Sequence, residues 1–276
     1  MADLLTGKVA VITGAASGMG RSAAEVFVAN GARVVLADVQ DGAGVALAER
    51  LGAAARFVHT DVTAEADLER AVGAAREQFG RLDVMFSNAG AAVDLAPVAE
   101  LTAEGLDRTL RLNLHAHVTA HRLAAAAFRE QRVPGSIIST ASIAALQAGW
   151  NGAAYSMAKA AVLALVRQTA LEAAGTGIRC NAILPGAVLT SIITNMFGIP
   201  AADEEQFLTG VGEAIADQTL IGRAGVAEDI ANTALFLASD LSTWITGTSI
   251  TVDGGATAYT KDATVAAITE IASAYH

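Results

Sequence analysis

Short, uncharged β-branched runs alternate with helical stretches, a glycine-rich turn follows the first run directly, and the apolar residues are mostly small aliphatics. These three observations predict an α/β protein: a single, doubly wound domain over residues 1–276, with a seven-stranded parallel sheet and helices on both faces. Hydrophobic residues make up 53% of the chain and aromatics only 5%, so Ala, Val, Leu and Ile must fill the core. Strands buried on both faces read as continuous apolar runs, which is the pattern seen.

Residues 8–13 (KVAVIT) form the first strand, and GAASGMG leads into a helix at 21–30 that Gly31 ends. The second strand, 33–37, stops at Asp38. A helix at 43–51 precedes the third strand at 56–59, which runs into Asp61-Val62-Thr63. Then come a helix at 67–79, a strand at 82–87 ending in Asn88-Ala89-Gly90, and a long helix at 106–128. Strand 135–139, helix 154–173, strand 178–184 before Pro185-Gly186, helix 227–238 and strand 249–252 complete a Rossmann-like series. Two segments fall outside it. Residues 187–225 are an insertion behind a strand's carboxyl end, where open α/β sheets bind ligands, and read as a substrate lid. The tail, 256–276, places Val265, Ile268 and Ile271 at helical spacing and is expected to pack on a neighbouring subunit.

Composition excludes some partners. A net charge of −10, from 18 basic and 28 acidic residues, opposes attraction to nucleic acid and to anionic membranes. Cys180 is the sole cysteine, so no intramolecular disulfide can form and a reducing, cytoplasmic location is expected; the first residues carry no secretory pattern. His115, His117 and His121 do not gather on one helix face, so no metal is assigned and these histidines are expected at the surface or an interface.

Gly14, Gly18 and Gly20 open the first helix. Without side chains there, the backbone can turn sharply and a pyrophosphate can approach the helix N-terminus. Asp38, twenty residues after Gly18, can accept hydrogen bonds from ribose hydroxyls and would repel a 2′-phosphate, so NAD is favoured over NADP. Asp61 suits either an adenine contact or the start of the next helix. Tyr155 and Lys159 are four residues apart and share a helix face, so the ammonium can lower the phenol from its usual pKa of ~10. A pocket of Val93, Ile143, Ala144, Trp150, Leu189, Ile192 and Met196 would take a hydrophobic alcohol or ketone.

T-G-A-A-S-G-M-G, N-A-G, Ser142 with Tyr155-x-x-x-Lys159, and Pro185-Gly186 together resemble the short-chain dehydrogenase/reductase family from Leu5 to Gly255. The resemblance implies a catalytic tetrad of Asn113, Ser142, Tyr155 and Lys159. It also implies a cofactor site formed by the glycine turn with Ser17 and Met19, by Val39, Val62 and Asn88-Ala89-Gly90, and by Pro185, Gly186, Val188 and Thr190. Ser87 replaces an asparagine common in the family. A homotetramer is implied, with helices 106–128 and 154–173 at one interface. The phrases VLADVQD and MFSNAG are similar to the branch containing secoisolariciresinol, xanthoxin and alicyclic alcohol dehydrogenases, which implies a cyclic or terpenoid secondary alcohol. The alternatives are a 3-oxoacyl carrier-protein reductase, whose usual NADPH Asp38 argues against, and a non-catalytic nicotinamide sensor, which the intact tetrad disfavours.

Overall fold

In the computed structural model, which describes residues 3–259 and 264–274, the buried runs become strands β1 (Val9–Thr13), β2 (Arg33–Asp38), β3 (Ala55–His59), β4 (Val84–Ser87), β5 (Ser136–Thr140) and β6 (Arg179–Pro185). Two short strands, β7 (Val188–Leu189) and β8 (Gly225–Val226), precede β9 (Ser249–Val252). The main sheet has seven strands in the order β3-β2-β1-β4-β5-β6-β9, all parallel. The chain therefore works outward from β1 to one edge, returns, and builds the other half from β4, which leaves a crevice where the order reverses.

The helices are α1 (Gly18–Ala29), α2 (Asp41–Leu51), α3 (Glu65–Phe79), α4 (Ala103–Leu110), α5 (Ala116–Gln131), α6 (Ala153–Glu172), α7 (Ser191–Met196), α8 (Glu204–Ala216), α9 (Ala227–Ala238) and α10 (Thr264–Ser273). The period of two along each strand divides the core into two layers. Val9, Val11, Val35, Met85, Ile137 and Cys180 face α3, α5 and α6, whereas Ala10, Ile12, Val34, Leu36, Phe86 and Ile138 face α1 and α9.

Two features differ from the sequence expectation. The long helix expected at 106–128 is two α-helices, α4 and α5, joined by a π-helical turn at Arg111–His115. His117 and His121 are buried under the sheet rather than on the surface, at 0% and 2% exposure, while His115 is exposed. They lie one turn apart, on the face of α5 that packs inward. The inserted segment holds α7 and α8, and its two ends are joined by a short parallel ladder, Val188 with Gly225 and Leu189 with Val226. In the tail, α10 leaves Val265, Ile268 and Ile271 exposed.

Phe27 of α1 is fully buried in the layer shared with α9. Phe27→Ala removes a ring that surrounding backbone cannot collapse to replace, and is expected to cost about 3–5 kcal/mol, read as a lower urea midpoint at unchanged slope.

Candidate active site

The carboxyl ends of five strands open into one cleft of about 810 Å³, reached by Gly14 after β1, Asp38 of β2, Asn88 after β4, Thr140 of β5 and Pro185 of β6. Gly14 adopts a φ of +65°, and a Cβ at Gly20 would stand 2.0 Å from the Gly14 carbonyl oxygen, so this turn admits no side chain at its crossing. Ser17, Gly18 and Met19 line the cleft where α1 begins, whereas Gly20 supports the loop from behind. Asp38 is 5% exposed; its carboxylate accepts the backbone N–H groups of Ala16 and Gln40, each at 2.9 Å, and so ties the glycine turn to β2. Val39 and Val62 line the same end. Asp61 accepts from the backbone N–H and hydroxyl of Thr63, at 2.9 and 2.7 Å, and thus closes the turn into α3 while also lining the cleft.

Asn88 joins the central strand ends. Its backbone N–H donates to Thr13 Oγ1 (2.9 Å), its Nδ2 donates to the Thr13 carbonyl (3.1 Å), and its Oδ1 accepts from the Thr140 hydroxyl (3.0 Å). Ala89 N–H also donates to Thr13 Oγ1, at 3.0 Å. The Thr140 carbonyl in turn accepts from Lys159 Nζ at 2.8 Å. Gly90 must lack a side chain, since a Cβ would lie 2.8 Å from Asn113 Oδ1 and 3.2 Å from Lys159 Nζ.

Asn113 sits at the centre of the π-helical turn, fully buried. Its amide donates to the carbonyls of Ala91 (2.9 Å) and Thr109 (3.2 Å), and its Oδ1 accepts from Ala91 N–H (3.2 Å). Such a turn widens the helix locally and is frequent at functional sites. Ser142 caps the short 3₁₀ turn Ile143–Ala145, accepting from Ala144 N–H at 3.1 Å, and its hydroxyl also bonds Tyr155. Lys159 Nζ lies 5.5 Å from the Tyr155 ring centroid.

Burial raises the phenol above its usual value, and the hydrogen bond with Ser142 acts against that rise. The sequence assigned this lowering to Lys159. Instead, burial brings Lys159 itself down to about 7, because the ammonium rests on a neutral carbonyl rather than a carboxylate.

Val93, Ile143 and Trp150 line the cleft, as do Pro185, Gly186, Val188 and Thr190. Two expected pocket residues do not. In β7 successive side chains point to opposite sides, so Val188 faces the cleft while Leu189 turns towards Gly212 of α8. Ala144 lines a separate shallow groove outside, shared with Leu146 and Met157. The side chains of Ile192 and Met196 lie outside the described residues. Arg108 and Arg111 also line the cleft and went unmarked in the sequence; their signal is position, three residues apart and just ahead of Asn113 on the same helix.

A second polar layer lies beneath. Ser87 Oγ is 2.9 Å from His117 Nδ1, and His121 bridges Ser139 (2.7 Å) and Thr169 (2.9 Å). Desolvation holds His117 well below its usual value and His121 at about 4. Burial pushes the Cys180 thiol up to about 12, which keeps it inert at neutral pH.

A cleft so built, at the switch point of an open parallel sheet, defines a dinucleotide-binding oxidoreductase. A family model described as enoyl-(acyl carrier protein) reductase matches residues 14–257. Momilactone A synthase of Oryza sativa subsp. japonica is 41% identical over 91% of this chain and 90% of its own. 3beta-hydroxysteroid dehydrogenase 2 of Eggerthella lenta is 38% identical over 93% of this chain and 97% of its own. The crystal structure of a short-chain type dehydrogenase/reductase from Mycobacterium marinum matches with a TM-score of 0.83 at 28% identity, covering 93% of this chain and 99% of that one. The chain belongs to the short-chain dehydrogenase/reductase family, in its alcohol dehydrogenase branch, and members of this family bind a nicotinamide cofactor. Among the described residues no helix is long and apolar enough to cross a membrane.

The buried histidines set a pH dependence. Between pH 6.5 and about 4, His121 is neutral in the fold and protonated in the unfolded chain, so stability falls as pH falls through that window. The loss from His121 is of order 3 kcal/mol, and His117 acts in the same direction. Urea midpoints measured across this range should drop steeply for the native chain and less steeply for His121→Asn.

Proposed function

We propose that the protein is an NAD-dependent oxidoreductase that interconverts a hydrophobic secondary alcohol, cyclic or terpenoid, with its ketone. The observation that carries this reading is convergence: Ser142, Tyr155 and Lys159 line the same cleft as the glycine cradle. The cradle fits a dinucleotide, because the crossing of Gly14 and Gly20 leaves backbone where a side chain would block an approaching diphosphate. Gly14 to Gly18 and Asn88 to Gly90 would hold the diphosphate and ribose, and Pro185, Gly186, Val188 and Thr190 the nicotinamide. When bound, the cofactor supplies hydride exchange with the carbinol carbon.

The chain's own residues manage the proton. Ser142 donates a hydrogen bond to the reacting oxygen. In oxidation the Tyr155 phenolate takes the alcohol proton, and in reduction the phenol returns it. Lys159, anchored on the Thr140 carbonyl and brought to about 7, exchanges protons near neutrality and replenishes Tyr155. Asn113 fixes the Ala91 loop beside Lys159, and would hold a water that links the lysine to solvent.

Asp38 supports NAD. It lines the cleft with the uncharged Ser17, Val39 and Gln40, so a 2′-phosphate there would meet a carboxylate and no neighbouring cation. The apolar lining from Val93, Ile143, Trp150 and Val188 supports a hydrophobic substrate, and the name of the Eggerthella lenta relative favours a ring alcohol. The reading includes a cytoplasmic homotetramer with α5 and α6 at one interface, where the exposed small residues Ala126, Ala160 and Ala164 permit close approach.

Oxidation rates over cyclic, steroidal and acyclic secondary alcohols, with NAD and with NADP, test the proposal. We expect kcat/KM to favour NAD by about 100-fold, narrowing in Asp38→Ala, since like-charge contact costs several kcal/mol. Tyr155→Phe should lose at least about 100-fold in kcat. Comparable turnover by Tyr155→Phe would overturn the mechanism, and exclusive use of 3-oxoacyl thioesters with NADPH would overturn the substrate assignment.

A further inference from the structure

The mechanism makes no use of the polar pair beneath the cleft, yet that pair departs from expectation twice. Ser87 stands where an asparagine is common in the family, and its hydroxyl meets His117 Nδ1 at 2.9 Å. His117 is fully buried, and its Nε2 has no hydrogen-bond partner among the described residues. A buried polar atom left unpaired is destabilising, so a residue there needs a return on that cost.

Ser87 ends β4 and is bonded directly to Asn88. Asn88 holds the Thr140 hydroxyl at 3.0 Å, and the Thr140 carbonyl holds Lys159 Nζ at 2.8 Å. From the other side, His117 lies one helical turn beyond Asn113, whose Oδ1 and Lys159 Nζ both border Gly90. The pair thus lies between the strand ends through which Thr140 holds Lys159 and the turn that carries Asn113. Its ionisable neighbours are Lys159 on α6 and His121 on its own helix, both basic, and burial keeps His117 neutral between them. A protonated His117 would be a second cation beside the ammonium in a dry interior.

We propose that His117 is a positioning residue for Lys159: with Ser87 it does the work of the missing asparagine amide, fixing the end of β4 from which Asn88, Thr140 and Lys159 are held in line. The Ser87–His117 contact is a buried side-chain bond between the end of β4 and α5, at 2.9 Å.

The proposal rests on the catalytic reading of Lys159, and its test has one arm free of turnover. In the full chain labelled with ¹³Cε-lysine, the Lys159 titration is followed by NMR for the native protein, Ser87→Ala, His117→Ala and the double variant Ser87→Asn/His117→Ala. We expect Ser87→Ala and His117→Ala each to move the midpoint by about one pH unit, and the double variant to bring it back. In parallel, kcat with NAD and the best alcohol of the panel should fall about tenfold in both single variants, with KM for NAD unchanged and recovery in the double variant. Single variants that lower only the thermal midpoint, leaving the Lys159 titration and kcat as in the native chain, would refute the proposal, as would a double variant that recovers neither. Ser87→Ala removes the bond without opening a large cavity, so the result stands even where His117→Ala fails to fold. Undiminished turnover by Tyr155→Phe would defeat the catalytic reading while leaving the NMR arm to judge His117.

Discussion

Asn88 bears on both halves of the cleft through three hydrogen bonds. It joins the end of β1, through Thr13, to the end of β5, through Thr140. The glycine turn begins one residue beyond Thr13, and the Thr140 carbonyl carries the lysine ammonium. Cofactor cradle and proton machinery are therefore fixed to one amide. Buried hydrogen bonds of this kind are individually modest, but an unpaired partner is costly, so the three form as a set or the strand ends separate.

The π-helical turn shows how a helix can serve two demands. α5 must cover the sheet, which calls for regular packing of Ala116, Ala120 and Ala124. Asn113 must turn its amide to the Ala91 loop, which regular packing would not allow. The extra residue of the π turn re-aims that one side chain, and α5 resumes its register beyond it.

Much of this was legible in the residues. Strands buried on both faces announce themselves as unbroken apolar runs, and each functional group at a strand end, from Gly14 to Pro185, follows such a run. Spacing pairs Tyr155 with Lys159, the family resemblance supplies the rest of the tetrad, and the structure brings Ser142, Tyr155 and Lys159 to one wall. What remained hidden depends on contacts. A π turn adds a single residue to a period that sequence resolves only over several turns. His117 and His121 look like surface histidines until α5 is laid on the sheet and the hydroxyls of Ser87 and Ser139 meet them. Two residues of β7 are too few to display an alternation, so Leu189 and Val188 could not be told apart by face. The phenol's environment also needed coordinates, since burial raises Tyr155 and lowers Lys159.

The ladder between β7 and β8 has a further consequence. It brings the chain leaving β6 and the chain entering α9 to one strand spacing, ~4.8 Å, before either continues. To the sheet, everything between those strands is a closed loop, and lengthening a closed loop costs little, about 0.6 kcal/mol for each doubling. The segment carrying α7 and α8 can thus be exchanged as a cassette. Evolution, or a designer, can rewrite what borders the cleft at Ser191 and Ile193 without asking the sheet to fold differently.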